Sequence, residues 1–255
     1  GLADFDKYKL AVPCYGDTDS REELIKEYLA YRTYNLLTSR SFRVRLLSIT
    51  YQDPLGRKPN YVAPAIIIEN KKELAIRLER TVAESEMFSP AKFIPAGEGT
   101  NALFQYLIGN KDWGLAMNHN VLMLQDKEGQ LFPVPFDFDF IGWVKASYAR
   151  PNPRMGQTTL EQRIYLGYAQ SDSLLLKLMD TFQLQREAVL ANLNTDLLSS
   201  YERRRLSRYV LSFYSIIEEL RVVRKNKHVY DRLRGKDAKV IPSGEEPQYF
   251  QHSEK

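Results

Sequence analysis

The chain has 255 residues, of which 44% are hydrophobic, so it can bury a sizeable core in one large domain or two small ones. Its formal net charge of +4 is too small to indicate a nucleic-acid-binding protein, and no apolar run approaches the roughly 20 residues of a membrane span. Cys14 is the only cysteine, which excludes an intramolecular disulfide and a cysteine-based zinc site.

The first part of the chain predicts a small α+β unit. The segment "YKLAVPC" is typical of a short strand, and Pro13 ends it. Ser20 and Glu23 have the spacing of a capping box, and the apolar residues that follow at helical intervals predict a helix over 21–38. The segments "FRVRLLSITYQ" and "AIIIEN", separated by turn-forming residues, predict an antiparallel hairpin. We therefore expect the order strand, helix, strand, strand over 1–70.

The rest of the chain predicts a connecting segment, a mainly helical part and a tail. Residues 71–99 are mixed and partly helical, and they end in "PAGEGT", a composition typical of a linker. Within 100–234, "NALFQYLI" predicts a helix, and "VLML" and "LFPVPFDFDF" predict the two strands of a hairpin. Leucines and aromatic residues at helical spacing predict three further helices, at about 158–168, 173–193 and 200–226. The prolines and glycines of 235–255 indicate a flexible tail.

Two acidic residues interrupt an aromatic run in "VPFDFDF". On a strand, Asp137 and Asp139 would share one face and the phenylalanines would share the other. Two ionised carboxylates so close together repel each other and need a compensating charge. A divalent metal would supply it, and a chain with one cysteine and three histidines favours Mg²⁺ or Mn²⁺ over zinc. Otherwise the pair is an exposed strand end neutralised by basic side chains, for which the candidates are Arg43, Arg45 and Lys145.

The loop "GNKDWGLAMNHN" adds further polar side chains at the far end of the same hairpin. It contains Asp112, Asn118, His119 and Asn120. Phosphoryl transfer from a nucleotide needs a carboxylate that accepts the acceptor's proton, together with an amide and a carboxylate that hold Mg²⁺ on the phosphates. Taken singly, these residues are equally typical of Asx turns and caps. For His119 we expect a structural role, in which it orients the loop.

The block "FQYLIGNKDW…NHNVLML…VPFDFDF" resembles the catalytic segment of the CotH-type kinases and, more distantly, of the HipA-type kinases, both atypical members of the protein-kinase-like family. In particular, it resembles an uncharacterised bacterial group with the motifs "IGN-x-D-W", "HN" and "P-[YF]-DFDF-x-G". The resemblance implies that Asp112 is the catalytic aspartate. It also implies that Asn120 and Asp137 bind the metal and that Asp139 is a possible second carboxylate ligand.

The same resemblance extends to the first part of the chain. The segment "KLAV" matches the strand that bears the nucleotide-phosphate lysine, which is Lys9 or, by the same alternation, Lys7. Glu27 matches the ion-pair partner of that lysine, and "IIIEN" matches the hinge that hydrogen-bonds adenine, near Glu69. The chain has no G-x-G-x-x-G phosphate loop. The resemblance thus implies an α+β, two-lobed protein-kinase-like fold with a reduced amino-terminal lobe and a mainly helical carboxy-terminal lobe.

Three functions agree with these residues. The first is an ATP- and Mg²⁺-dependent (or Mn²⁺-dependent) phosphotransferase that acts on an unknown protein or small-molecule acceptor. The second is a catalytically inactive kinase-like binding module. The third is a metal-dependent phosphodiesterase with Asp112, Asp137 and Asp139 around two ions. We expect a nucleotide partner and no nucleic-acid partner.

Two cellular locations agree with the sequence. The chain begins with Gly1 and not with Met, as expected of a processed or trimmed product. If a signal peptide was removed, the protein is exported to the periplasm or secreted. If none was removed, the cytoplasm is expected.

Overall fold

The computed structural model describes residues 8–14, 17–84, 87–222 and 227–235, and it shows a mixed α+β fold. The strands are β1 (Lys9–Ala11), β2 (Val44–Tyr51), β3 (Tyr61–Ile68), β4 (Thr81–Val82), β5 (Val121–Gln125) and β6 (Leu131–Pro135). The helices are α1 (Thr18–Leu37), α2 (Lys71–Arg77), α3 (Pro95–Ile108), α4 (Asp172–Leu184), α5 (Arg186–Leu193), α6 (Ser200–Arg221) and α7 (Val229–Arg234).

The first sheet is antiparallel, with the strand order β1-β3-β2. Lys9 on β1 and Val44 on β2 both lie opposite Ile68 at the end of β3. The predicted hairpin is confirmed, since β2 and β3 pair along their whole length. The order strand, helix, strand, strand predicted for 1–70 is confirmed as well, whereas Lys7 lies outside the described residues.

The start of α1 differs from the sequence prediction. Ser20 is not the cap: Asp17 caps the helix, and its side chain accepts a hydrogen bond from the Ser20 backbone amide at 2.8 Å. Glu23 accepts a hydrogen bond from the Ser147 backbone amide instead of completing a capping box. Because Asp17 lies three residues upstream and satisfies a free amide of an earlier first turn, the helix begins earlier than predicted.

The second sheet is also antiparallel and has the order β4-β5-β6. The segment "PAGEGT", predicted as a linker, is instead the first turn and a half of α3. Its glycines allow close packing, because a β-carbon on Gly97 would meet the ring of Phe132 and one on Gly99 would meet Leu178. The glycines thus mark close contacts of a buried helix, and the linker prediction is wrong.

The predicted strand through "PFDFDF" is also wrong, because β6 ends at Pro135. Two residues later Asp137 has a φ of +67°, a left-handed conformation that a regular strand does not contain. The phenylalanines consequently differ in exposure: Phe138 is wholly buried and Phe140 is 44% exposed. Alternation on a strand therefore does not explain the placement of the two aspartates.

The last part of the described chain is helical, as predicted, except for 158–168, which contains no helix. There the carbonyls of Leu160 and Gln162 accept hydrogen bonds from the Lys111 ammonium group. These contacts satisfy carbonyls that a helix would otherwise pair internally. The predicted helix 173–193 is divided at Gln185 into α4 and α5, and the tail after Gly235 lies outside the described residues.

One contiguous core joins these elements. Buried side chains extend from Leu24 on α1 through both sheets to Leu233 on α7. Two buried tryptophans, Trp113 and Trp143, belong to this core. In the described ranges no helix combines the length and the apolar character needed to cross a membrane.

Candidate functional site

The centre of the candidate site is an ion pair between the first sheet and the segment that follows β6. The Lys9 ammonium group donates a hydrogen bond to Asp137 Oδ1 at 3.1 Å, although the two residues are 128 positions apart in the chain. Both side chains are about half exposed, 48% for Lys9 and 44% for Asp137, so a ligand can reach the pair from solvent. Lys9 also lies 5.1 Å from the centroid of the Phe136 ring.

Two backbone hydrogen bonds fix the position of Asp137. Its amide donates to the Tyr31 hydroxyl of α1 at 2.9 Å, and the preceding Phe136 amide donates to the Asn120 carbonyl at 3.1 Å. The left-handed backbone at Asp137 is uncommon for a residue other than glycine, although aspartate adopts it more readily than most. Asp137 is thus held next to Asn120 at the end of the hairpin.

The loop from Asp112 to Asn120 closes on itself. Gly114 and His119 exchange two backbone hydrogen bonds, at 3.0 and 2.9 Å, and 115–118 form a turn between them. As a result the ends of the loop, eight residues apart in sequence, meet: Asn120 Nδ2 donates to the Asp112 carbonyl at 2.8 Å and to Asp112 Oδ2 at 3.1 Å.

His119 holds the other carboxylate oxygen of Asp112. The distance from His119 Nε2 to Asp112 Oδ1 is 2.8 Å. This hydrogen bond raises the pKa of the imidazole above its ordinary value, while partial burial opposes the change. Asp112 is therefore oriented by two side chains and keeps 46% of its own side chain exposed.

The amide orientation of Asn120 leaves an oxygen for a cation. Because Nδ2 makes both bonds to Asp112, Oδ1 is the free end of the amide, and it has no hydrogen-bond partner in the described part of the chain. An amide oxygen and the Asp137 carboxylate are ligands that hard divalent cations prefer. Among the described residues, no group of three or more histidine, cysteine, aspartate and glutamate side chains is arranged to hold a metal ion. A metal here would thus depend on Asn120, Asp137 and oxygens of a ligand.

Asp139 and Glu27 form an acidic cluster with Asp137. Asp139 Oδ2 accepts a hydrogen bond from the Tyr148 hydroxyl at 3.1 Å, and burial together with the charge of Asp137 raises the pKa of the Asp139 carboxyl. Burial in α1, with the charges of Asp139 and Asp137, raises the pKa of Glu27 to about 7, while Lys9 acts in the opposite direction. The carboxylates repel one another, which favours a cation among them.

Within the described ranges, the predicted partners Arg43, Arg45 and Lys145 form no ion pair with Asp137 or Asp139. Lys145 forms an ion pair with Glu161 at 2.7 Å, and Lys9 is the partner of Asp137. Glu27 has no direct ion pair with Lys9 in the described chain, although it lies within electrostatic range.

Helix α1 is fixed to the helical part of the fold. The Lys26 ammonium group pairs with Glu202 on α6 at 3.1 Å, and Trp143 Nε1 donates to the Lys26 carbonyl at 3.0 Å. Arg205 links the two contacts, since it bonds Glu202 at 2.8 Å and the Trp143 carbonyl at 2.9 Å. The network is largely buried, so it holds Glu27, the next residue on α1, in place.

Glu69 has a structural role in the described fold. Its carboxylate receives two hydrogen bonds from Arg77, each of 2.8 Å, and a third from the Arg43 amide at 2.9 Å. Its backbone amide donates to the Arg43 carbonyl at 2.9 Å. The side chain therefore links the end of β3 to α2 and to the start of β2.

Two cavities adjoin the Lys9–Asp137 pair. The larger, about 290 Å³, lies beside the end of β3 and is lined by Tyr8, Lys9, Phe42, Ile68, Glu69, Asn70, Lys71 and Phe136. The smaller, about 150 Å³, lies on the side of α1, and its polar lining includes Cys14, Glu23, Glu27, Asp137, Asp139 and Tyr148. Sequence reasoning missed Lys71, Tyr31 and Tyr148, and the position of Lys71 directly after "IIIEN" was the one available signal for it.

No protein-family model, no curated protein and no solved structure matches this chain. Its function must therefore be inferred from the chemistry of the site. That site combines a half-exposed lysine–aspartate pair, an oriented aspartate and amide, and an apolar cavity beside them.

Proposed function

We propose that this chain is an ATP- and Mg²⁺-dependent phosphotransferase with a protein-kinase-like arrangement, acting on a protein or small-molecule acceptor. Mn²⁺ is a chemically equivalent metal. The observation that carries the proposal is the convergence of Lys9, Asp112, Asn120 and Asp137 from separate segments of the chain.

The topology supports the proposal through its agreement with what the resemblance implies. The lysine strand β1 and two further strands form one sheet of order β1-β3-β2, and the glutamate-bearing helix α1 packs against β3. The chain then leaves β3 along the larger cavity, and the two polar loops of the site precede β5 and follow β6. A reduced amino-terminal lobe over a mainly helical lobe is the arrangement that we propose for these elements.

In the proposed reaction, Asp112 orients the acceptor hydroxyl and accepts its proton. Hydrogen bonds from His119 and Asn120 hold the carboxylate in one orientation, and its exposed fraction leaves an approach for the acceptor. Such positioning of a base is a large part of catalysis in phosphoryl transfer.

Asn120 Oδ1 and Asp137 would hold the divalent ion, which neutralises charge on the phosphates when it is bound. Lys9 would then turn from Asp137 to the phosphate oxygens. Glu27 remains within electrostatic range of the ammonium group and would then be its partner on α1. Asp139, which is bonded to Tyr148, adds negative charge to this side of the site.

The larger cavity would hold the nucleoside. Phe42, Ile68 and Phe136 give it apolar walls, and its volume of about 290 Å³ is close to the lower end of the range for small-molecule sites. Lys9 lines this cavity and pairs with Asp137, so a base in the cavity would direct its phosphates toward Asp137.

Calorimetric titration with ATP in the presence of Mg²⁺ tests the binding part of this proposal. We expect binding that requires Mg²⁺ and that weakens at least tenfold in Asp137→Ala. Asp180→Ala is the matched control, because Asp180 is also half exposed and ion-paired, with Arg221, but lies on α4. No Mg²⁺-dependent binding, or equal effects of the two substitutions, would refute the proposal.

Transfer of the γ-phosphate tests the catalytic part. With radiolabelled ATP, wild type should label an acceptor protein or itself, or release phosphate to water at a lower rate. Asp112→Asn should bind ATP normally and lose at least a hundredfold in transfer. Binding without transfer in wild type would favour the inactive binding module instead.

A further inference from the structure

A second lysine lines the larger cavity beside Phe136. The Lys71 ammonium group lies 5.2 Å from the centroid of that ring, and the Lys9 ammonium group lies 5.1 Å from the same centroid. The two cations are therefore no more than about 10 Å apart across one aromatic wall. Phe42 and Ile68 supply the rest of the apolar lining.

The charge of Lys71 is uncompensated within this cavity. Lys9 is neutralised by Asp137, and Glu69 is neutralised by Arg77. In the described part of the chain, the Lys71 ammonium group has neither an ion pair nor a hydrogen bond, and it lies over the Phe136 ring. A cation–π contact at an exposed site contributes about 0.5–1 kcal/mol, which does not replace a counter-ion.

We propose that Lys71 determines ligand specificity, by binding an anionic group carried by a ligand whose planar part occupies the cavity. This inference rests on the proposed function, and for a nucleotide the group is the phosphate nearest the sugar. The cavity thus selects nucleotides over nucleosides. Lys71 also supplies a phosphate contact in a chain that has no G-x-G-x-x-G loop.

The neighbouring lysine provides a matched comparison. Lys72 follows Lys71 on α2, carries the same charge and is also exposed, but it does not line the cavity. Its backbone amide, which a side-chain substitution leaves intact, donates the capping hydrogen bond to Asn70 Oδ1. Substitution of Lys72 changes the net charge of α2 without changing the cavity wall.

The experiment measures the affinities of adenosine, AMP and ATP with Mg²⁺ for wild type, Lys71→Met, Lys71→Arg and Lys72→Met. Wild type should bind AMP more tightly than adenosine. Lys71→Met should bind AMP and ATP about fivefold more weakly than wild type and adenosine equally well, because methionine keeps the apolar stem and removes the charge. Lys71→Arg should restore the preference for AMP, and Lys72→Met should match wild type. The loss should shrink in high salt, as expected of an exposed ionic contact.

The outcomes separate this inference from the proposed function. If ATP binds but Lys71→Met weakens adenosine and AMP equally, Lys71 acts through packing and the inference is overturned. It is also overturned if Lys71→Met changes none of the affinities, or if Lys72→Met has the same effect. If no nucleotide binds to wild type at all, the proposed function fails first and this inference fails with it.

Discussion

A buried glutamate on α3 makes the stability of the fold depend on pH. Glu98 is wholly buried, its Oε1 accepts a hydrogen bond from the Tyr168 amide at 3.0 Å, and its Oε2 accepts one from Gln170 Nε2 at 2.7 Å. Burial raises the pKa of this carboxyl from 4.5 to about 7, even though both hydrogen bonds lower it. The folded protein therefore holds the proton on Glu98 more tightly than the unfolded chain does.

The sign and size of the effect follow from that difference. Below pH 4.5 the carboxyl is protonated in both states, so its contribution to stability is fully present. As the pH rises toward about 7, the unfolded chain loses the proton first, and the free energy of unfolding falls. The total decrease is about 3 kcal/mol, since one pKa unit equals about 1.4 kcal/mol. Most of this loss, about 2 to 3 kcal/mol, falls between pH 5 and pH 8.

Glu98→Gln removes the titration but keeps the shape. The glutamine can accept the hydrogen bond of the Tyr168 amide and donate to the Gln170 side-chain oxygen. We expect the free energy of unfolding of the variant, relative to that of wild type, to be about 2 to 3 kcal/mol higher at pH 8 than at pH 5. Urea unfolding at the two pH values measures this, with the exposed residue Glu128 substituted as the control. A difference between Glu98→Gln and wild type that is the same at both pH values would refute the reasoning.

Three further predictions concern single side chains. Gly109→Ala should lower the free energy of unfolding by about 2 to 3 kcal/mol, because the residue ends α3 at a φ of +67° and a β-carbon would meet a tyrosine hydroxyl. Gly56→Ala, at a φ of +64° where an added β-carbon would contact nothing, should lower the free energy of unfolding by only about 1 kcal/mol. Equal losses for the two alanine variants in thermal unfolding would contradict the packing argument. Glu202→Gln should lower the free energy of unfolding in urea by about 2 kcal/mol, because the buried Lys26 is left without its counter-ion. A decrease below about 0.5 kcal/mol would rule this out. Asp112→Asn should lower the pKa of His119 toward 6.5, measured by NMR titration of the ring, and an unchanged pKa would exclude their hydrogen bond in solution.

Periodicity in the sequence predicted the elements whose stability is local. Apolar spacing identified α1, and the alternating strands on either side of turn residues identified β2 and β3. Errors arose where a distant contact overrides local preference. The glycines in the first turns of α3 suggested a linker, yet they are small because Phe132 and Leu178 pack against them. Similarly, the Lys111 ammonium group bonds carbonyls in a segment whose leucines alone predict a helix.

The candidate site was predictable in composition but not in geometry. The order of Asp112, Asn120 and Asp137 in the sequence suggested that the three act together. Their arrangement depends on the Gly114–His119 bridge and on the left-handed backbone of Asp137, and no local pattern specifies either. The contacts of Asp137 with Lys9 and with α1 join segments more than 100 residues apart, so only the folded chain reveals them.

Electron paramagnetic resonance of Mn²⁺ mixed with a non-hydrolysable ATP analogue tests whether Asn120 and Asp137 form a metal site. Free Mn²⁺ has a sharp spectrum that is lost when the ion is immobilised on a protein. We expect wild type and Asp112→Asn to immobilise one equivalent together with the analogue, and we expect Asp137→Ala and Asn120→Ala to immobilise it at least tenfold more weakly. Equal immobilisation by all four proteins, or none by wild type, would contradict a metal site formed by Asn120 and Asp137.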